Sequence, residues 1–224
     1  DASKFLPPPP QPGSAAYAAD QYVFDATRKL KGTDRWKLAA SDNDLDVDPV
    51  VADFACALGF TPTRKTTPHL FAIFENVRGD AGHAIDTGKD FFKKKRPLIG
   101  NNAPICVDRK NYEKSYSYPS GHSTLSWTYT LILAELVPDR ITAIAARGRA
   151  YGESRAVCGV HWASDVEAGR VAASVVFAAL NGNTAFRADM AAAKKEIAAL
   201  RRTAVKPGAA SCAVSDAAAA KRPW

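Results

Sequence analysis

Lys89 and Arg96 lie seven residues apart in the run Lys89-Asp-Phe-Phe-Lys-Lys-Lys-Arg-Pro97. Read as helix, that spacing is about two turns, which puts both cations on one face roughly 10 Å apart. Two long cationic side chains so placed can converge on one anion. Arg96 would bring a planar fork suited to phosphate-like oxygens and Lys89 a point charge. The ordinary reading of the run is a solvated basic helix, and that describes Lys93, Lys94 and Lys95. A second motif is Tyr118-Pro-Ser-Gly-His122. Ser120 is an N-cap, Gly121 lets a ligand approach the backbone, and His122 falls in the first turn, where unpaired N–H groups and the helix dipole favour an anion. The alternative is a plain capped helix start with an exposed histidine. The third motif is Gly152-Glu-Ser-Arg155, continuing to His161 and Asp165. Four residues apart is one turn of a helix face, so Asp165 can take the proton of one imidazole nitrogen and leave the other as acceptor or nucleophile. Such a pair could also be structural, or half of a metal site.

These groups need elements to position them, and the pattern reads as all-α. The chain has 224 residues, 46% hydrophobic and 24% charged. That suits one domain with a sizeable core and excludes a disordered, collagen-like or coiled-coil chain. The longest nearly uncharged apolar run, residues 171–180, is about half the ~20 residues a bilayer span needs. Apolar spacing predicts a helix from about residue 18, stopped by Gly32. Asp48-Pro49 opens a second and Gly59 closes it. Thr67-Pro68 opens a third with Leu70, Phe71, Phe74, Val77 and Ala81 on one face. Residues 84–96 read as helical up to Pro97, and residues 98–118 as a long loop. Further helices run from Ser120 to about residue 137, from Pro138 to about 151, from about 161 to 180, and from Asn183 or Thr184 to about 201. Residues 1–16 form a proline-rich N-terminal loop, 17–205 the helical domain, and 206–224 a small, alanine-rich, partly mobile tail. His69 and His83 fall outside the motifs and read as structural or surface groups.

The formal net charge is +7. Residues 89–114 hold eight Lys/Arg against three Asp/Glu, and residues 194–224 seven against two. A basic tail is an ordinary solvated end, whereas a basic cluster in mid-chain more often faces an anion. Cys56, Cys106, Cys158 and Cys212 show no metal-ligand spacing. Their even number, and a start at Asp1 with no Met or apolar leader, read as a mature, exported chain with disulfides. Four buried free thiols are the alternative. A Cys106–Cys158 bridge would tie together the segments that follow Arg96 and Arg155, leaving Cys56 to pair with Cys212.

In order, the motifs are Lys-x6-Arg-Pro, Pro-Ser-Gly-His and Ser-Arg-x5-His-x3-Asp, carried by Lys89, Arg96, Pro97, Pro119, Ser120, Gly121, His122, Ser154, Arg155, His161 and Asp165. This set resembles the signature of the phosphatidic-acid-phosphatase/haloperoxidase superfamily. Phe5-Leu-Pro-Pro-Pro-Pro, Lys37-Leu-Ala-Ala40, Val157-Cys-Gly-Val-His-Trp162 and residues 183–196 further resemble the bacterial class A non-specific acid phosphatases. The likeness runs to about residue 200. It departs at Tyr116 and Ser123, where that class commonly has Gly and Thr.

The resemblance implies a single-domain all-α bundle of the acid phosphatase/vanadium haloperoxidase type, periplasmic or secreted, acting on a broad range of phosphate monoesters such as nucleotides, aryl and sugar phosphates. It implies no metal and no cofactor. His161 would be the nucleophile, Asp165 its partner and His122 the proton donor. Lys89, Arg96, Arg155 and the N–H groups of Ser120, Gly121 and His122 would hold the phosphate. A nucleic-acid partner and a membrane span are not expected. Transfer to alcohols and the oligomeric state, a homodimer included, stay open. The alternatives are a vanadate-dependent haloperoxidase and a basic secreted protein that binds nucleic acid or another anion without turnover.

Overall fold

A computed structural model describes residues 1–221, 223 and 224, the side chains of His83 and Ala84 excepted. Among the described residues there are ten α-helices and no strand, in line with the all-α expectation. They are α1 (Ala15–Arg28), α2 (Asp34–Ser41), α3 (Val47–Asp53), α4 (Ala55–Leu58), α5 (Pro68–Phe92), α6 (Gly121–Leu136), α7 (Ile141–Val157), α8 (Ala163–Asn181), α9 (Thr184–Leu200) and α10 (Ala209–Ala220). Side-chain caps begin several of them: Ser14, Thr33, Ser120 and Asn183 each accept from a first-turn N–H. Gly59, at φ +80°, closes α4 in the left-handed region that only glycine enters cheaply.

The main core lies where α5 meets α6 and α9. Leu70, Phe71, Phe74, Val77 and Ala81 are all buried along one face of α5. Phe74 stacks on Tyr129 of α6 with ring centroids 4.0 Å apart, and the Tyr129 hydroxyl donates to the Phe74 carbonyl at 3.1 Å. The opposite side of α6 is built differently. Ser123, Thr124, Ser126, Thr128 and Thr130 are buried there. Thr124, Thr128 and Thr130 donate to the carbonyls four residues earlier, so their hydroxyls are not left unpaired. Small side chains let α7 and α8 come close. A Cβ on Gly148 would lie 1.8 Å from Thr130 Oγ1, and one on Gly169 2.7 Å from the Ser120 carbonyl oxygen. The helices that carry His122, Arg155 and Asp165 therefore meet almost backbone to backbone.

The elements differ from the expected ones in ways that bear on the site. Helix α5 ends at Phe92, where Lys93 turns left-handed at φ 49° and its N–H caps the Lys89 carbonyl. Residues 93–96 are non-helical, consistent with the exclusion of the residue before Pro97 from helical geometry. Lys89 and Arg96 thus do not share a helix face. Helix α7 runs on to Val157, and α8 starts only at Ala163, leaving His161 ahead of the helix. Helix α2, capped by Thr33, was not anticipated from the apolar pattern. Part of the expected tail folds as α10, which packs on α2 and α7.

Two disulfides join distant segments: Cys56–Cys212 with Cα atoms 5.4 Å apart, and Cys106–Cys158 at 4.7 Å. Beside the second, the Cys106 N–H donates to the Cys158 carbonyl. His69, exposed at the start of α5, pairs with Glu196 of α9 at 2.5 Å; the His83 side chain lies outside the described residues. No helix among the described residues is long and apolar enough to cross a membrane.

The Cys56–Cys212 bridge fastens α10 to α4, and neither cysteine belongs to the motifs. Replacing both cysteines by serine is expected to cost about 2–5 kcal/mol of stability, read as a fall in Tm, while kcat at 25 °C stays unchanged. A fall in kcat without a fall in Tm would contradict this placement.

Candidate active site

His161 sits in the turn between α7 and α8, where the N–H groups of Val160 and His161 both donate to the Arg155 carbonyl. Trp162 is the N-cap of α8 and Asp165 the third residue of its first turn. Asp165 Oδ2 accepts the Trp162 N–H at 2.8 Å and lies 3.4 Å from His161 Nδ1. One carboxylate oxygen thus serves as helix cap and imidazole partner, so the pairing is made across a cap rather than along a helix face. On the other side of the ring, Arg96 Nη1 donates to Nε2 at 2.9 Å. A guanidinium cannot accept, so the Nε2 lone pair points at Arg96 and the ring proton sits on Nδ1, toward Asp165. Burial, then the charges of Arg96, Arg155 and Lys89, hold His161 well below the ordinary histidine range. It stays neutral into the acid range.

His122, at the second position of α6, donates from Nε2 to the Asn43 carbonyl at 3.0 Å. Its Nδ1 is the nitrogen left for a ligand. The Asn43 side chain, from the loop between α2 and α3, accepts from Tyr112 OH at 2.5 Å and from Arg155 Nη2 at 3.1 Å. Arg155 Nη2 also donates to Tyr112 OH at 2.9 Å. The Tyr112 ring faces both guanidiniums, 5.0 Å from Arg96 and 5.6 Å from Arg155. Burial, then Arg155, holds His122 well below its ordinary value too.

Arg96 spends its remaining contacts on neutral acceptors, the Ser115 carbonyl and hydroxyl and the Val160 carbonyl. Burial and the nearby Arg155 push it down to about 10. Arg155 is fully buried, yet its Nε and Nη1 have no partner. Lys89 Nζ lies 3.7 Å from where a Cβ on Gly121 would stand, and burial with Arg96 lowers its pKa. Among the described residues none of these three cations has a carboxylate partner. Elsewhere, buried Arg147 pairs with Asp42, and Lys94 with Asp20 and Asp165. Buried charges left unpaired are costly, and a cluster of them marks a place for an anion.

The structure places Lys89, Arg96, Ser120, Gly121, His122, Arg155, His161 and Asp165 in one region, with two corrections to the sequence reading, at the Ser120 N–H and at Lys94. The Ser120 N–H is already used: it donates to the Asp165 carbonyl at 3.0 Å and ties the first turn of α6 to that of α8. Only Gly121 and His122 present first-turn N–H groups without an intrahelical acceptor. Lys94 is not solvated. Its Nζ bonds Asp20, Ser164 and Asp165 at 3.0, 2.7 and 2.9 Å, whereas Lys93 and Lys95 are exposed. Ser154 lies outside the anion region, donating to Asp42 Oδ2 at 2.5 Å and accepting from Arg35. Tyr116 is exposed. Asn43 and Tyr112 were missed. Asn43 works partly through its backbone carbonyl, which leaves no mark in sequence, while Tyr112 falls in the long loop whose length was the only signal. No group of three or more His, Cys, Asp or Glu among the described residues is placed to hold a metal ion.

The chain is similar to several known proteins. The profile of the PAP2 superfamily matches residues 73–186. An acid phosphatase of Zymomonas mobilis subsp. mobilis is 42% identical over 220 residues, covering 97% of this chain and 83% of that protein. A non-specific acid phosphatase of Providencia stuartii is 36% identical, over 90% of this chain and 83% of its own. One from Salmonella typhimurium is 35% identical, over 86% and 78%. Among solved structures, a transmembrane PAP2 type phosphatidylglycerolphosphate phosphatase from Bacillus subtilis superposes with a TM-score of 0.53 at 19% identity, over 76% of this chain and 87% of that one, a likeness of fold. The chain belongs to the PAP2 superfamily, alongside relatives named acid phosphatases.

Proposed function

We propose that this acid phosphatase hydrolyses a broad range of phosphate monoesters through a phosphohistidine at His161, outside the cytoplasm and with no metal in the reaction. The observation that carries the reading is the set of two buried arginines, Arg96 and Arg155, and the half-buried Lys89, with neutral or no partners among the described residues, beside two neutral imidazoles. A phosphate monoester brings the missing negative charge. The two disulfides suit an oxidising compartment such as the periplasm or the exterior.

The geometry supports the following sequence. The phosphate oxygens take the N–H groups of Gly121 and His122, the Ser120 hydroxyl and the three cations. Arg96 Nη1 moves its hydrogen bond from His161 Nε2 to a phosphate oxygen, which releases the Nε2 lone pair. Nε2 bonds to phosphorus as the ester P–O bond breaks, and the leaving oxygen takes a proton from His122 Nδ1. Asp165 keeps the proton on Nδ1 of His161 and balances the positive ring that forms. Water then attacks phosphorus, His122 Nδ1 accepts its proton, the P–N bond breaks, and its electron pair returns to Nε2. General acid–base help of this kind is worth ~10²–10⁴ in rate, and the fixed cations stabilise the transition state electrostatically.

The two histidines are separable by experiment. His161→Ala removes the nucleophile and should abolish turnover of every substrate. His122→Ala should depend on the leaving group: kcat/KM for glycerol phosphate should fall far more than for p-nitrophenyl phosphate, whose phenolate leaves without a proton. Equal losses would mean that His122 binds phosphate rather than transferring a proton.

The electrostatics of His122 set a second expectation. In the empty site its pKa is depressed, so the protonated form needed for catalysis is populated only at low pH. A bound dianion reverses the sign of its surroundings and raises it. The alkaline limb of the kcat profile, which reports the complex, should therefore lie at higher pH than that of kcat/KM. Coincident limbs would count against a proton donor at this position.

Tyr112→Phe deletes the hydroxyl between Arg155 and Asn43. Hydrogen bonds to charged groups contribute about 1.5–3 kcal/mol, so kcat/KM should fall at least about tenfold, with a rise in the inhibition constant for inorganic phosphate. Unchanged phosphate inhibition would remove Tyr112 from the anion site.

A further inference from the structure

Behind His161, on the side of Asp165 away from the imidazole, lies a second charged cluster. Lys94 reaches it from the non-helical segment after α5, Asp20 from α1, and Ser164 and Asp165 from the first turn of α8. The side chains of Lys94, Asp20 and Asp165 are 10%, 3% and 0% exposed. All three protons of the Lys94 ammonium are used, one each on Asp20 Oδ2, Ser164 Oγ and Asp165 Oδ1. Asp20 Oδ1 accepts the Ser164 N–H at 2.8 Å, and its Oδ2 accepts the Ser164 hydroxyl at 2.5 Å. The two oxygens of Asp165 thus have separate duties. Oδ1 takes the lysine, and Oδ2 takes the Trp162 N–H and faces His161.

Resting on the phosphohistidine reading above, we propose that Lys94 and Asp20 are positioning residues for the nucleophile: Lys94 fixes and charge-balances Asp165, and Asp20 fixes and charge-balances Lys94. Capping the start of α8 does not by itself call for a cation, since Asp20 and Asp165 already accept its first N–H groups. Without Lys94, a buried carboxylate left with a neutral imidazole, the Trp162 N–H and a hydrogen bond from Ser117 would tend to take up a proton. Protonated, Asp165 could no longer hold the Nδ1 proton of His161, and Nε2 would lose its assigned lone pair. Lys94 opposes this: burial raises Asp165, and Lys94 is the largest opposing influence. The other groups facing Asp165 do not replace it. His161 is neutral, and the Tyr118 hydroxyl is pushed up to about 12 by burial and by Asp165 and Asp20. Lys89 and Arg96 feel the carboxylate but turn toward the anion region. Asp20 in turn offsets part of the charge of Lys94, so a residue on α1 sets the field at a catalytic group it does not touch.

The pair can be tested through opposite signs. Lys94→Met removes a positive charge, which raises the pKa of Asp165 and also of His161. Asp20→Asn removes a negative charge and lowers both. The test takes the full, disulfide-bonded chain with p-nitrophenyl phosphate and measures kcat/KM against pH for wild type, Lys94→Met, Lys94→Arg, Asp20→Asn and Lys95→Met. The substrate's own titration is common to all five. Lys94→Met should move the acid limb up by about 1–3 pH units, the range for removing an opposite charge at this distance. It should also lower kcat about 10–100-fold, as when a partner orienting a functional histidine is lost. Asp20→Asn should move the limb down, Lys94→Arg should return part of the activity, and Lys95→Met, an exposed neighbour, should superimpose on wild type. Activity lost with both limbs unmoved would make the cluster merely structural and overturn the proposal. If Lys94→Met does not fold, the direction of the limb in Asp20→Asn decides. An alkaline quench of wild type read for phosphohistidine keeps the two readings apart. No label at His161 refutes the nucleophile assignment itself, whereas a label with unmoved limbs refutes only the positioning pair.

Discussion

Two buried arginines and a half-buried lysine are held together with no carboxylate partner among the described residues, and the surrounding structure follows from that condition. Taking a cation out of water costs several kcal/mol even after relaxation, and neighbouring like charges add to it. A carboxylate partner would remove the cost and also the capacity to bind an anion. The fold instead uses neutral acceptors. Arg96 rests on carbonyls, a hydroxyl and an imidazole lone pair, and Arg155 on an asparagine and a phenol, with the Tyr112 ring facing both. Burial, aided by the same field, keeps both imidazoles neutral.

Such an arrangement is useful only if the cations cannot drift apart. The seam of small residues between α6, α7 and α8 provides this, because helices in near backbone contact have little room to slide. The hydrogen bond from the Ser120 N–H to the Asp165 carbonyl joins the two helix starts directly. The Cys106–Cys158 bridge fastens the loop that carries Tyr112 to the turn that carries His161.

Much of this was legible in the sequence. The caps at Ser120 and Asn183, the apolar face of α5 and the motif residues around the anion region all carry local signals. The failures share a physical origin. Lys89 and Arg96 were placed on one helix because local periodicity ran smoothly into Pro97, whereas the chain leaves the helix at Lys93. Lys94 looked like one of three equivalent surface lysines; only the departure from the helix turns it inward, to partners 70 or more residues away. Asn43 contributes a backbone carbonyl that any residue could present, so its identity signals only half of its role. Side chains that act locally announce themselves, and those that complete a field across the fold do not.

The Cys56–Cys212 bridge spans 156 residues and encloses every motif residue of the anion region from Lys89 to Asp165, though not Asn43. On a chain made from its N-terminus, Cys56 emerges long before its partner and meets Cys106 and Cys158 first. Because Cys212 follows the other three cysteines, the correct pairing is available only after all four have been made. Oxidation that begins only after all four cysteines have been made would allow that pairing. Oxidation in step with synthesis would favour the wrong one. The order in which this protein meets an oxidant is therefore as much a part of its assembly instructions as the residues that fill its core.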